Sequence, residues 1–256
     1  LTNKGVNIQA IYDTFIAEQN KLNRDNRYKG KEEYYHASAA GSCLRKLYFE
    51  SVLVAEATNS PSKESYRKMR LGTVFHSEME DCFSTGTGTL SIPSIGTGTT
   101  VLSTSTIYSI YQEKEILIKD LNVRGFYDLV LVNDETGEVF LYDFKTIGSF
   151  PYKLKFGRNP KPNSSKRYEL QLGTYGMAIA KEFGNLDGMF LVYYNKDTSI
   201  MKQVTVPMVY VDEARRFWEK AQREHAKGLP PLKFNESPVE SWECNYCQYK
   251  DLCDNA

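Results

Sequence analysis

Asp128, Asp143 and Lys145 are the residues of this 256-residue chain whose types and spacing best suit chemistry. In Tyr142-Asp143-Phe144-Lys145, strand alternation sends the carboxylate and the amine to one face and Phe144 to the other. Upstream, Gly125-Phe126-Tyr127-Asp128-Leu129-Val130 holds a carboxylate among apolar positions, where an unpaired buried charge is costly. A hairpin pairing Asn133 with Glu138 around a four-residue loop sets Asp128 opposite Asp143. Two facing carboxylates repel unless a cation lies between them, which predicts a divalent-metal site. A register shift of one residue sends Asp128 to the other face unless a bulge restores it. The bland alternative is a solvated Asp143–Lys145 pair on an edge strand, with Asp128 at a sheet margin.

A second chemical signal is C-x2-C-x5-C near the end of the chain, formed by Cys244, Cys247 and Cys253, with Cys43 and Cys82 far upstream. An odd cysteine count without a secretory pattern argues for metal or redox use over a disulfide framework. Thiolates at that spacing converge around an ion or a cluster. Structural zinc usually takes its cysteines as two local pairs, whereas here three are local and the fourth is remote. Cys43 is the better fourth ligand. Cys82 follows Glu78, Glu80 and Asp81, whose charge disfavours another thiolate, and reads as a small buried residue on a helix.

The elements that must position these groups follow from periodicity. Segments 7–22 and 65–83 carry apolar residues at helical spacing, and Leu44, Leu47 and Tyr48 form a short basic amphipathic helix opened by Cys43. Residues 107–118, 123–132 and 139–145 are β-rich, the last two as a hairpin. A long loop over 147–163 leads to a helix at 165–183, strands near 189–194 and 201–207, and a helix at 212–227 with Asp212 as N-cap. That order implies a mixed sheet with flanking helices, an α/β fold in a single domain. Its parts are a helical 1–83 carrying Cys43 and His76, a Ser/Thr/Gly-rich insert at 84–106 that reads as a flexible loop or a small β excursion, a core at 107–231 and a cysteine tail at 232–256. His36 and His225 lie in polar stretches and read as surface residues.

The 32 Lys plus Arg cancel the 32 Asp plus Glu, so any nucleic-acid site must be a local patch. With 41% hydrophobic and 25% charged residues, disordered and collagenous classes are excluded. No apolar run approaches the length needed to cross a bilayer, and the chain reads as cytoplasmic. Between Lys145 and Arg167, the cations Lys153, Lys155, Arg158, Lys161, Lys166 and Arg167 occur with no acidic residue, interleaved with Phe150, Tyr152, Phe156 and Tyr168. Alternating cations and aromatic faces suit a sequence-tolerant single-strand channel, against the alternative of a solvated loop anchored by its aromatics.

GFYD, DFK 15 residues later, and Gln171-Leu172-Gly173-Thr174-Tyr175 on the next helix together resemble the PD-(D/E)XK nuclease superfamily, most closely its RecB-like iron-sulfur branch. That branch includes the CRISPR-associated spacer-acquisition nuclease, the AddB nuclease domain and phage relatives. The resemblance runs from about Ser42 to Cys253, with 84–106 outside it. It implies a restriction-endonuclease-like sheet flanked by helices. His76, Asp128, Asp143 and the Phe144 backbone carbonyl would hold the metal, Mn2+ in preference to Mg2+ because of the imidazole. Lys145 would orient or deprotonate the attacking water or stabilise developing charge, with Gln171 and Tyr175 positioning it. Cys43, Cys244, Cys247 and Cys253 would carry a [4Fe-4S] cluster stapling the chain ends, zinc being the alternative.

The function so implied is a metal-dependent deoxyribonuclease, an exonuclease preferring single strands or DNA ends. The competing class is a DNA-end-binding or processing module of a CRISPR-adaptation or recombination complex, with an integrase or helicase partner and little activity of its own. A zinc-stabilised binding protein with a dead site is a third. No G-x-x-x-x-G-K-[ST] loop occurs, so any ATP-driven unwinding must come from another chain.

Overall fold

The computed structural model describes residues 6–28, 34–84, 89–93, 105–161, 164–230 and 239–256. In chain order the helices are α1 (Ile8–Tyr28), α2 (Leu44–Leu47), α3 (Lys63–Ser84), α4 (Ser149–Phe156), α5 (Lys166–Phe183), α6 (Val209–His225) and α7 (Lys250–Asp254). The strands are β1 (Tyr35–His36), β2 (Thr89–Pro93), β3 (Ser105–Gln112), β4 (Glu115–Ile118), β5 (Val123–Phe126), β6 (Leu129–Asn133), β7 (Val139–Ile147), β8 (Gly188–Asn195) and β9 (Met201–Val206). A six-stranded sheet has the order β2-β3-β6-β7-β8-β9, and a smaller one the order β1-β5-β4. Only β7–β8 in the larger sheet is parallel, the crossover being made by α4 and α5.

Alternation along the central strands sorts the layers. Leu129, Leu131, Phe144 and Val192 face Phe75 and Met79 of α3. Val130, Leu141, Leu191 and Tyr193 belong to the main core with Leu172 and Ile179 of α5 and Trp218 of α6. The β6–β7 hairpin has the register that its four-residue loop implies. Asn133 N donates to the Glu138 carbonyl (2.9 Å), and Asn133 Oδ1 accepts from the amides of Glu135 and Thr136. Gly137 closes the loop at φ 74°, a conformation glycine adopts without steric cost.

Helices α5 and α6 pack closely enough that side-chain volume is decisive. A Cβ on Gly173 would lie 2.1 Å from the Tyr210 carbonyl oxygen, so this position admits only hydrogen. The Trp218 indole N–H donates to the Thr174 hydroxyl (2.9 Å), which donates to the Leu170 carbonyl (2.8 Å), so the buried polar atoms are satisfied.

Several sequence expectations change. The 147–163 loop contains α4, because Tyr152 and Phe156 find an apolar bed beside Tyr193. The β-rich runs 107–118 and 123–132 are each broken in the middle. Helix α6 starts at Val209, so Asp212 stands in its first turn and is not its N-cap. Cys82 is exposed, not buried. Of 84–106, Thr89–Pro93 forms β2 and Ser105 begins β3, while 85–88 and 94–104 lie outside the described residues. Among the described residues no helix is long and apolar enough to cross a membrane.

His225 is buried instead of exposed. Its Nδ1 lies 2.6 Å from the Tyr35 hydroxyl and its Nε2 2.8 Å from the Leu44 carbonyl oxygen. The neutral ring fits both contacts, accepting from the hydroxyl at Nδ1 and donating at Nε2. Burial holds the imidazole below its ordinary pKa of 6.5. A folded-state value below the unfolded one contributes stability above pH 6.5 that is lost as pH falls through the folded value. Thermal melts from neutral to mildly acidic pH should show a falling Tm, and His225→Gln should flatten that dependence while lowering Tm at neutral pH. Gly173→Ala should destabilise by about 1–3 kcal/mol or prevent folding, read by denaturant titration.

Candidate active site

Two facing breaks in the strands build the site. Strand β3 passes to β4 through Glu113-Lys114, with Glu113 at φ 44°, and β5 passes to β6 through Tyr127-Asp128. Tyr127 N donates to the Lys114 carbonyl (3.3 Å) and Glu113 N to that of Asp128 (3.4 Å). Gln112 pairs with Leu129 and Glu115 with Phe126, so one register runs through both ladders and sets Glu113 opposite Asp128. On the other side, Leu129 pairs with Tyr142, which sets Asp128 opposite Asp143. Three carboxylates therefore form a row across neighbouring strands, an arrangement that is repulsive without compensation.

Each acid has a distinct environment. Asp143 is fully buried (0% exposed) and Asp128 nearly so (8%). Asp128 Oδ2 accepts from the Phe144 backbone N–H at 2.6 Å, and its Oδ1 lies 3.5 Å from His76 Nδ1 of α3. Asp143 Oδ1 accepts from the Gln171 side-chain amide at 3.3 Å, and the same nitrogen donates to the Tyr175 hydroxyl at 3.0 Å. Asp143 Oδ2 is ion-paired to Lys145 Nζ at 2.6 Å. Gly125 is required behind this group, since a Cβ there would come within 2.6 Å of Ala37 Cβ and 2.9 Å of the Tyr175 ring.

Burial pushes the Asp143 carboxyl up to about 6, with Lys145 pulling it down and Asp128 adding to the rise. Burial alone would lower Lys145, but Asp143 and Asp128 overcome it and hold the ammonium above its ordinary value. His76 behaves alike, its burial outweighed by the hydrogen bond and charge of Asp128. The Tyr175 hydroxyl is raised well above its usual range, first by burial and then by the two aspartates, and stays protonated. All these directions report a negative pocket that draws positive charge.

A divalent cation fits here. Ligand atoms of His76, Glu113 and Asp128 lie within 4.8 Å of one another, a spacing that bonds of roughly 2.0–2.6 Å can span. Asp143, opposite Asp128 on β7, adds a further carboxylate on the neighbouring strand, its Oδ2 ion-paired to Lys145. Sequence reasoning missed Glu113, although running the 107–118 strand antiparallel to 123–132 places it opposite Asp128. A cation bound here supplies positive charge to a phosphodiester and acidity to an attacking water. Lys145 keeps Asp143 ionised and offers a second positive charge to phosphate oxygens. Gln171 fixes the Asp143 carboxylate and is itself fixed through Tyr175. A cleft of about 920 Å³ opens on the His76 and Glu113 side, with Lys68, Arg124 and Lys196 in its walls.

The cation-rich 145–167 stretch is less open than its sequence suggests. Lys155 turns inward to the Ser165 hydroxyl and Glu169, and Tyr152 and Phe156 pack on the core. Lys161 pairs with Glu240 (2.9 Å), Lys166 with Glu213 (3.2 Å) and Arg167 with Glu243. Lys153 and Arg158 remain exposed. Helices α5 and α6 and the docked C-terminal segment supply the partners.

Cys43, Cys244, Cys247 and Cys253 line one cavity of about 460 Å³. Among the described residues no three of these sulfurs come within 4.8 Å of one another. Arg45 also lines the cavity, buried, with an Nε that has no hydrogen-bond partner among the described residues. Thr58 and Asn59 bind the Gln248 carbonyl, and Phe49 packs on Tyr249, so the last segment is docked without relying on the thiols.

An acid row completed by a lysine on the central strand of a mixed sheet has the groups that could hold a divalent cation beside a phosphodiester. The chain belongs to the PD-(D/E)XK nuclease superfamily, whose profile matches residues 96–254. The match takes in Glu113, Asp128, Asp143, Lys145, Gln171 and the three C-terminal cysteines, while Cys43 and His76 precede it. The fold is similar to the crystal structure of SSO0001, at 16% identity over 96% of this chain and 97% of that one, with a TM-score of 0.54. LHK-Exo in complex with dAMP aligns over 88% of this chain and 96% of that one, at 10% identity and a TM-score of 0.42. No curated protein matches the sequence.

Lys145→Ala and Asp128→Asn should each lower metal-dependent phosphodiester cleavage by about 100-fold or more. Glu113→Gln should raise the half-saturating Mn2+ concentration by about 10- to 100-fold with less effect at saturating metal. Metal titrations of the cleavage rate separate the two behaviours.

Proposed function

We propose that this chain is a metal-dependent deoxyribonuclease of the RecB-like branch, acting on DNA ends with a preference for single strands. The observation that carries this reading is the row Glu113, Asp128 and Asp143 with Lys145 paired to the last of them at 2.6 Å. A binding module with a relic site has no need of that set, whose burial is costly unless cation and substrate repay it. His76, Glu113, Asp128, Asp143 and the Phe144 carbonyl hold the divalent ion. Mn2+ is favoured over Mg2+ because imidazole suits transition metals. The placement of His76 on α3 and the resemblance of the GFYD, DFK and Gln171–Tyr175 segments support the RecB-like assignment and an end-directed activity.

The second cofactor in this reading is a [4Fe-4S] cluster on Cys43, Cys244, Cys247 and Cys253. Zinc–sulfur bonds of about 2.3 Å bring four tetrahedral thiolates to roughly 3.8 Å from one another, whereas no three of these sulfurs lie mutually within 4.8 Å. A cluster that bonds one thiolate per iron accommodates the wider spacing, and buried Arg45, whose Nε has no hydrogen-bond partner among the described residues, brings positive charge to the cavity.

End-labelled single- and double-stranded DNA incubated with Mn2+, Mg2+ or EDTA tests the activity. Metal-dependent shortening from an end, lost in Lys145→Ala, is expected; inert, folded wild-type protein refutes the nuclease. Iron and acid-labile sulfide analysis with visible absorbance tests the cluster separately, and both signals should vanish in Cys43→Ser. A colourless protein with stoichiometric zinc refutes the cluster and leaves the nuclease standing.

A further inference from the structure

A second groove, of about 780 Å³, shares Gln171 with the site but not His76 or Glu113. One wall is α4 with the start of α5; the other is α2 with the C-terminal segment, and Lys161–Glu240 and Arg167–Glu243 tie the walls together. Two large rings stand open in it. Phe150 is 74% exposed and Trp242 57% exposed. The groove ends at the active site. Gln171, which donates to Asp143, lines it, and so does Tyr168, whose ring lies 5.3 Å from Lys145 Nζ.

We propose that this groove is a base-stacking subsite in which unpaired nucleotides of the substrate lie on Phe150 and Trp242 while the adjoining phosphate reaches Lys145. This rests on the nuclease reading and assigns its single-strand preference to named residues. The charge balance favours stacking over backbone contact. Lys46, Lys161, Lys166 and Arg167 face Glu50, Glu240 and Glu243 in the lining, and three of the four cations are already paired with carboxylates. A groove so nearly neutral gains little from counterion release, whereas aromatic faces bind any base. A duplex hides those faces, so only a single strand or frayed end fits.

The C-terminal segment thereby contributes to substrate binding as well as to the cysteine cavity, since Trp242 lies two residues before Cys244. The subsite also explains why Lys155, Lys161, Lys166 and Arg167 are sequestered in pairs. Lys161 and Arg167 join the walls through Glu240 and Glu243, and contact with the strand is left to the rings.

The test uses Lys145→Ala protein in EDTA, so that DNA is bound but not cut, with anisotropy of labelled oligothymidylate and of an abasic strand of equal length. Phe150→Ala and Trp242→Ala should each weaken oligothymidylate binding by about 5- to 150-fold and leave the weaker abasic binding unchanged. Trp242→Phe should retain most of the affinity. Binding should fall only about tenfold or less between roughly 50 and 200 mM salt. Equal losses for both strands, or no loss for either, overturn the subsite. Wild-type protein that cuts DNA while oligothymidylate binding ignores Trp242 refutes this inference alone, and points the rings toward a protein partner. If wild-type protein cuts nothing, the nuclease reading itself has failed.

Discussion

The repulsion among Glu113, Asp128 and Asp143 is the constraint on which the rest of the site depends. Three carboxylates opposite one another on adjacent strands would drive the strands apart, and two of them are almost wholly removed from water. Each nearby element answers that charge. Strand β7 brings Lys145 two residues beyond Asp143, α3 brings His76, the β7 backbone offers the Phe144 N–H, and α5 offers the Gln171 amide. A cation completes the neutralisation, so the arrangement that is costly for the empty fold is what selects a divalent ion and then a phosphate. The breaks at Glu113 and Tyr127-Asp128 carry both strands from one sheet to the other, and Glu113 lines the cleft beside His76.

Holding that row in place requires rigidity behind it. Gly125 lets Ala37 and Tyr175 close up against the bend, and Gly173 lets α6 press on α5, whose other face carries Gln171. Trp218, Thr174 and Leu170 form a hydrogen-bonded chain through this contact. His225, at the end of α6, reaches the Leu44 carbonyl beside Cys43 and thus joins the N-terminal helices to the core. The last segment then docks on α2 and α5. Its ion pairs to Lys161 and Arg167 are partly exposed and individually weak, but together with the aromatic and backbone contacts they fix a wall of the second groove.

Much of this was legible in the residues themselves. The alternation in Tyr142-Asp143-Phe144-Lys145, the four-residue loop after Asn133 and the helical spacing of Gln171 and Tyr175 are local properties, and local geometry decides which side chains share a face. They suffice to put Asp128, Asp143 and Lys145 together and to indicate a metal. The cysteine spacing likewise marks a common cavity, because three of its members are near neighbours in the chain.

What the sequence could not determine depends on contacts between segments distant in the chain. Glu113 becomes part of the site because a strand bends, and the alternation of its neighbours carries no sign of the bend. The cations of 153–167 look like an open basic patch until Glu169, Glu213, Glu240 and Glu243 arrive from α5, α6 and the C-terminal segment to pair with them. His225 sits in a polar run and is nevertheless buried, since Tyr35 and Leu44, more than 180 residues away, supply both of its hydrogen bonds. Residue type and short-range spacing thus determined the chemistry available to this protein. Tertiary structure decided which charges meet which partners, because the pairing of a charge depends on neighbours in space that only the folded chain brings together.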